Sequence, residues 1–280
     1  MRAVALHADV LVVTSAVLHV NCIIVRGAVA ERDGASRPPA GSDELEGGPA
    51  AGETFVVDSP VLPDELDALG ALVEQAGFPA PSGLLATHGD WDHLLARLAF
   101  PAATLGCAES TAERIRASPG EAQRELRSFD EDLMISRRRP LSLGSIQALA
   151  VPGRCSLGDE ELELHPTGGH TPDGMALLAP WAGVLLAGDY LSPIELPTIR
   201  AGGLDGYRAT LERLRGLIER AEHVVPGHGP VLDREGALAV LDEDQAYLHR
   251  LAQLGADAAL PPRCRGAVQR RLHDENVAAL

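Results

Sequence analysis

The stretch Thr87-His88-Gly89-Asp90-Trp91-Asp92-His93 places two imidazoles and two carboxylates in one short run. Four such groups in an apolar setting are costly unless a cation organises them. A polar loop plugged by Trp91 is the simpler reading, and residues further along weigh against it. His170 stands in Gly169-His170-Thr171-Pro172, Asp189 follows Gly188, and His228 lies in Pro226-Gly227-His228-Gly229. Each sits in a loop just after an apolar run. With His88, Asp90, Asp92 and His93 they make seven side chains, a supply that suits two metal ions sharing a carboxylate.

Ligands carried on the ends of several strands converge at one edge of a sheet, where rigid elements can hold them. The run Gly83-Leu84-Leu85-Ala86 predicts a strand ending at Thr87, with a helix starting near Asp92. Residues 10–13 and 20–25 read as neighbouring strands. Residues 31–52 are rich in Gly, Pro and acid and read as a mobile, solvated insertion that extends a hairpin. Residues 54–58 resume the sheet. Leu62, Leu66, Leu69, Leu72 and Val73 have helical spacing, and Gly77 ends that helix. Residues 102–106 read as a strand, and 109–139 as charged and mostly helical, broken at Pro119-Gly120. Strands follow at 146–151 and 161–164, around a turn-rich piece at Gly158. Residues 175–179 and 184–187 form a hairpin, 204–221 a helix, and 223–226 a strand. Helices at 233–256 and 263–277 make 233–280 a C-terminal helical segment. The order favours one domain over 1–280, an αββα sandwich of two mixed β-sheets flanked by helices.

Composition narrows the function. The 280 residues carry a formal net charge of −16, and every cation among the 24 Lys and Arg is an arginine. Such acidity argues against nucleic acid and against an anionic membrane as partners. Arg137-Arg138-Arg139, the one dense basic run, reads as a solvated helix end. Cys22, Cys107, Cys155 and Cys264 form no C-x-x-C pair and no disulfide framework, which fits a reducing cytoplasm. The apolar stretch 10–25 is interrupted by His19 and Asn21 and reads as strands, not as a signal peptide or membrane span.

With these motifs in order, the chain resembles the metallo-β-lactamase superfamily in its wider hydrolase sense. The family's H-x-H-x-D-H is matched by His88-Gly89-Asp90-Trp91-Asp92-His93. Its later motifs are matched by Gly169-His170-Thr171-Pro172-Asp173-Gly174, by Gly188-Asp189 and by Pro226-Gly227-His228-Gly229. The strands around Asn21-Cys22-Ile23-Ile24-Val25 and Val56-Val57-Asp58 are also similar, so the resemblance spans roughly residues 10 to 232. It implies that His88, Asp90 and His170 hold one divalent ion. Asp92, His93 and His228 would hold another, and Asp189 would bridge them. It further implies a metal-bound hydroxide as nucleophile, with Asp92 and Asp189 as the catalytic carboxylates. The glyoxalase II-like branch makes a thioester the leading substrate, with a lactone beside it. Asp58 is expected behind a metal-bound histidine as hydrogen-bond acceptor.

Asp90 departs from the family, whose second histidine it replaces. Two divalent ions carry four positive charges. The usual two carboxylates leave two of these, and Asp90 leaves one. An added oxygen ligand also shifts preference from zinc towards iron or manganese. If Asp90 does not bind, His88, His170 and Asp189 remain as the facial set of a mononuclear iron site, and the chain then resembles persulfide dioxygenases of the same superfamily. A non-catalytic binding protein of this fold is a third reading. Small-molecule substrate is the expected partner in the enzyme readings, and the oligomeric state, a homodimer included, stays open.

The remaining histidines, His7, His19, His165, His223, His249 and His273, read as packing or surface residues. Trp91 reads as filler between helix and strand. Tyr190 and Tyr207 are candidates to face substrate. If Asp90 is a ligand, Asp90→His should raise the ratio of zinc to manganese or iron that the purified protein retains, and elemental analysis checks this. An unchanged ratio would exclude Asp90 from the ligand set.

Overall fold

The computed structural model describes residues 1–29 and 52–280. One sheet contains β1 (Arg2–His7), β2 (Val10–Thr14), β3 (Asn21–Ala28), β4 (Gly52–Val57), β5 (Gly83–Ala86), β6 (Thr104–Ala108) and β7 (Ile146–Leu149), in that spatial order. Its first four strands are antiparallel, and β4 to β7 pair in parallel. The second sheet contains β8 (Gly153–Leu157), β9 (Glu160–Pro166), β10 (Met175–Ala179), β11 (Val184–Gly188), β12 (His223–Pro226) and β13 (Leu232–Asp233). Here β11 and β12 are parallel and the other neighbours antiparallel. Two mixed sheets flanked by helices are therefore the observed architecture, as the sequence predicts.

The central strands β3, β5, β10 and β11 read as continuous apolar runs because both faces are covered there, while the edge strands β1, β7 and β8 keep exposed residues. Alternate residues sort into separate layers. Val12, Ile23, Val25, Val57 and Leu85 meet Leu162, Leu164, Met175, Leu177 and Leu186 between the sheets. Val13, Cys22, Ile24, Val56 and Leu84 face outward onto α1 (Pro63–Gln75), α3 (Glu109–Ala117) and α4 (Glu121–Asp132) through Leu66, Leu69, Ala112 and Leu126. Ala176, Leu178, Leu185 and Val224 pack under α5 (Gly203–Ile218) and α6 (Arg234–Leu254) through Tyr207, Leu211, Leu214, Leu241 and Leu248. α7 (Ala267–Ala278) adds Leu272 and Val277 to that layer.

The structure corrects several sequence expectations. Trp91–His93 is a single 3₁₀ turn, and the short helix α2 (Ala96–Ala99) starts later than the apolar pattern predicts. The turn-rich piece near Gly158 contains strand β8, and β7 and β8 belong to different sheets. Arg137 is not a solvated helix end. It lies beyond α4 with a mostly buried side chain paired to Asp130 at 2.8 Å. The segment 31–52 lies outside the described residues except for Gly52, which pairs with Ala28 across β3 and β4. Among the described residues no helix is long and apolar enough to cross a membrane.

Topology brings the ligand loops to one edge. β4, β5 and β6 run in parallel, so Asp58 and the Thr87–His93 loop leave the sheet on the same side. β9, β11 and β12 share a direction too, because β10 is antiparallel to both β9 and β11. The His170, Asp189 and His228 loops therefore emerge together. Asn21 ties the two sheets at this edge. Its Nδ2 donates to the carbonyls of Pro226 and Gly229, each at 2.8 Å, on either side of His228, and its Oδ1 accepts from Thr14 Oγ1 at 2.7 Å. Asn21→Ala should leave both carbonyls buried and unpaired. It is expected to cost about 1–3 kcal/mol in urea unfolding and to lower metal retention. Wild-type values for both would remove Asn21 from this role.

Candidate metal centre

All seven side chains singled out in the sequence meet at this edge. His88, Asp90 and His170 form one group whose ligand atoms lie within 4.8 Å of one another, and Asp92, His93 and His228 form another. Asp90 Oδ2 is 3.7 Å from Nε2 of both His88 and His170. Asp92 Oδ2 is 3.8 Å from His93 Nε2 and 3.5 Å from His228 Nε2. Asp189 stands between the groups. Its Oδ2 lies 3.6, 3.2 and 3.4 Å from the Nε2 atoms of His88, His170 and His228, and its Oδ1 lies 3.1 Å from that of His93. Ligand atoms around a small divalent ion with bonds of about 2.0–2.2 Å have separations of this size.

The donor set fits metal on a further observation. His88 Nε2, His93 Nε2, His170 Nε2 and Asp189 Oδ1 are buried and make no hydrogen bond among the described residues. Their other ring nitrogens are backed. His170 Nδ1 meets Thr198 Oγ1 at 2.8 Å and His228 Nδ1 meets the Leu18 carbonyl at 2.8 Å, while His93 Nδ1 lies 2.9 Å from Asp58 Oδ2 at ion-pair distance but without hydrogen-bond alignment. His88 Nδ1 lies 3.2 Å from Thr87 Oγ1, which itself donates to Asp58 Oδ2 at 2.9 Å. Backing of this kind fixes the ring and turns Nε2 inward as an acceptor for a cation. Asp58 thus lies where the sequence reading expects it.

Close backbone approach shapes the loops. A Cβ on Gly227 would fall 2.0 Å from Asp189 Oδ1, so a side chain there would displace the central carboxylate. Gly169 has φ +122°, and a Cβ on it would lie 2.1 Å from the Tyr207 nitrogen, which keeps the His170 loop pressed onto α5. Tyr190 does not face substrate. It is buried, its hydroxyl accepts from the His170 amide at 3.1 Å, and its ring stacks on Tyr207 at 4.6 Å. Tyr207 is buried as well, with its hydroxyl 3.4 Å from the Asp189 carbonyl. Trp91 packs on Phe129 of α4, with ring centroids 4.7 Å apart. His165 pairs with Glu163, and His273 is buried against the Tyr247 hydroxyl.

Sequence reasoning missed the cations of the site. Arg114 on α3 donates to Asp90 Oδ1 at 2.8 Å and to Asp173 Oδ1 at 2.9 Å. Arg200 donates to Asp90 Oδ2 at 3.0 Å. The 192–200 loop that carries Thr198 and Arg200 is clamped from α7. Gln269 bonds the Leu196 amide and Ile194 carbonyl, each at 2.8 Å, and Asn276 bonds the Ile199 amide and Pro197 carbonyl at 2.8 and 2.7 Å. No local pattern marks these residues, because an arginine or amide on a helix looks the same in sequence whichever loop it holds.

Comparison with known proteins agrees with the geometry. Residues 51–228 match the model of the metallo-beta-lactamase superfamily, and the chain belongs to that family. It is 28% identical over 213 residues to a hydroxyacylglutathione hydrolase of Anaeromyxobacter dehalogenans (strain 2CP-C), covering 74% of this chain and 69% of that protein. Among solved structures it is similar to a metallo-beta-lactamase family protein from Thermus thermophilus, with a TM-score of 0.66 at 20% identity, covering 98% and 92% of the two chains. It is also similar to the metallo-beta-lactamase from Pontibacter korlensis, with a TM-score of 0.57 at 18% identity, covering 86% and 98%.

Charge within the centre is strongly coupled. Burial alone would lower the His170 and His228 pKa values. Asp189, with Asp90 beside His170 and with Glu195 and Asp92 beside His228, outweighs it and raises them to about 9 and about 10. Burial would raise the Asp189 carboxyl, yet His228, His93 and His88 hold it well below the usual range. Without metal, His93, His170 and His228 therefore hold their protons more tightly than free imidazoles do. A histidine whose pKa is raised on folding stabilises the fold fully below about 6.5, its unfolded value, and this is lost as pH rises through about 9 to about 10. The metal-free protein should therefore melt at lower temperature as pH is raised across that window, and zinc binding below it should release protons. Melting curves with and without chelator, and calorimetry in buffers of different ionisation enthalpy, check both. A metal-free melting temperature that does not fall across the window would remove the charged imidazoles from this account.

Proposed function

We propose that the chain is a metal-dependent hydrolase of an ester-like bond, with an acyl thioester as its substrate class. One observation supports this most: two three-residue ligand groups share the Asp189 carboxylate. The likeness to a hydroxyacylglutathione hydrolase favours a thioester over a lactone. His88, Asp90 and His170 on one side, and Asp92, His93 and His228 on the other, would hold divalent ions with Asp189 between them, and such ions would supply a water nucleophile near neutral pH and polarise the acyl oxygen. Over the whole hydrolysis a bond from the acyl carbon to water oxygen replaces the carbon–sulfur bond, the sulfur leaves with that bond's electron pair, and the two protons of the water end on the thiol and the carboxylic acid.

The chain's own residues set the geometry of that reaction. Asp189 fixes the separation of the two groups, and Asp92 sits against His93 and His228 to orient water on that side. Thr198, Asp58 and the Leu18 carbonyl hold the imidazoles so that they need not reorganise during turnover.

A second reading rests on one observation. Arg114 holds Oδ1 of Asp90 and the more exposed Arg200 reaches Oδ2; where Arg200 keeps Oδ2, His88, His170 and Asp189 are left as a two-histidine, one-carboxylate set for a single iron. Metal content and an oxygen electrode separate the two. The hydrolase should carry two metal equivalents and release free thiol from acyl thioesters without consuming oxygen. One iron per chain with oxygen uptake on a persulfide would replace that reading with the second. Asp189→Ala should lose metal from both groups and lower thioester hydrolysis by at least about a hundredfold.

A further inference from the structure

Asp90 stands where the related motif has a neutral histidine, and its two oxygens are divided. Oδ2 points at the imidazoles, 3.7 Å from Nε2 of His88 and of His170. Oδ1 accepts from Arg114 Nη2 at 2.8 Å. Arg114 Nη1 bonds Asp173 Oδ1 at 2.9 Å, and Asp173 Oδ2 accepts from the Gly89 amide at 3.0 Å. The contacts close a ring through the backbone, from Gly89 to Asp173 to Arg114 to Asp90. A guanidinium offers its donors as a rigid fork, so the ring leaves the Asp90 carboxylate one orientation. Arg200 also reaches Oδ2, but its side chain is 56% exposed against 24% for Arg114.

We infer that Asp90 and Arg114 form one unit, a metal ligand and its positioning residue, that replaces a neutral imidazole. With Asp173 on Arg114 and Arg200 on Oδ2, the two carboxylates and two guanidiniums sum to no net charge, as the histidine would. Arg114 takes Oδ1, so Asp90 offers an ion one oxygen, as an imidazole offers one nitrogen. The two residues are then exchangeable only together. This inference rests on the site being a metal centre and not on a thioester being the substrate.

The test is zinc affinity, measured on chelator-stripped protein by competition with a chromophoric chelator. Four chains are compared: wild type, Arg114→Leu, Asp90→His and the double variant. Arg114→Leu should weaken zinc binding about ten- to a hundredfold, because the carboxylate loses its support. Asp90→His should also weaken it, although it restores the family's own ligand, because Arg114 and Arg200 would then face the ion with Asp173 as their one remaining carboxylate partner there. The double variant should recover most of the loss. Arg114→Leu thus lowers affinity in the Asp90 background and raises it in the Asp90→His background. The same direction of effect in both backgrounds, or tighter binding by Asp90→His alone, would overturn the inference. Arg114→Lys keeps the cation without the fork and guards against a leucine variant that does not fold. It should bind zinc more weakly than wild type, and wild-type affinity there would overturn the positioning role. Tight zinc binding with no thioester turnover would instead sink the proposed function and leave this pairing intact.

Discussion

The Asp189 carboxylate is the contact on which the rest of the site depends. It meets four imidazoles at 3.1 to 3.6 Å from a position at the end of β11. Holding it there requires Gly227 to have no side chain, β12 to run parallel to β11, and the Gly227 amide to donate to the Gly188 carbonyl. Three carboxylates and four histidines this close, largely out of water, are stable only if their charges are matched. Protons on His93, His170 and His228 contribute to this in the metal-free chain, and cations would do it in the loaded one. The same groups therefore link folding, pH and metal.

The helices outside the sandwich act on the site through backbone contacts. Gln269 and Asn276 of α7 pair with amides and carbonyls of the 192–200 loop much as a neighbouring strand would. Arg263 adds its pairing with the buried Asp244 and with Glu243 of α6, and reaches the Ser192 carbonyl. The loop so held places Thr198 behind His170 and Arg200 beside Asp90. The C-terminal helical segment is thus part of the centre's support, although none of its side chains is among the seven ligand candidates.

Counting ligands alone made Asp90 an added negative charge. The structure places two guanidiniums on it, and the nearer environment of the first group is not more anionic than a histidine would make it. Oxygen in place of nitrogen still alters donor hardness. Charge and donor type are therefore separate variables here, and only the second follows from the motif.

The sequence by itself determined most of the strands, though not β1 or β8, along with the layer order and the seven candidate ligands. Apolar runs bounded by Gly, Pro and acid mark buried strands, and His or Asp just after such a run is a local feature. Asn21 and Asp58 were visible as residues at strand ends, Asp58 with its role behind a histidine and Asn21 without one. Tertiary structure alone decided how the first group is charged and held. Arg114 and Arg200 lie 24 and 110 residues from Asp90, and Asn276 lies 77 from Ile199. Ligand identity is written in short-range pattern because each loop leaves its own strand. The partners of those ligands are set by helix packing across the molecule, and one arginine among 24 Lys and Arg carries no local sign of the carboxylate it will meet.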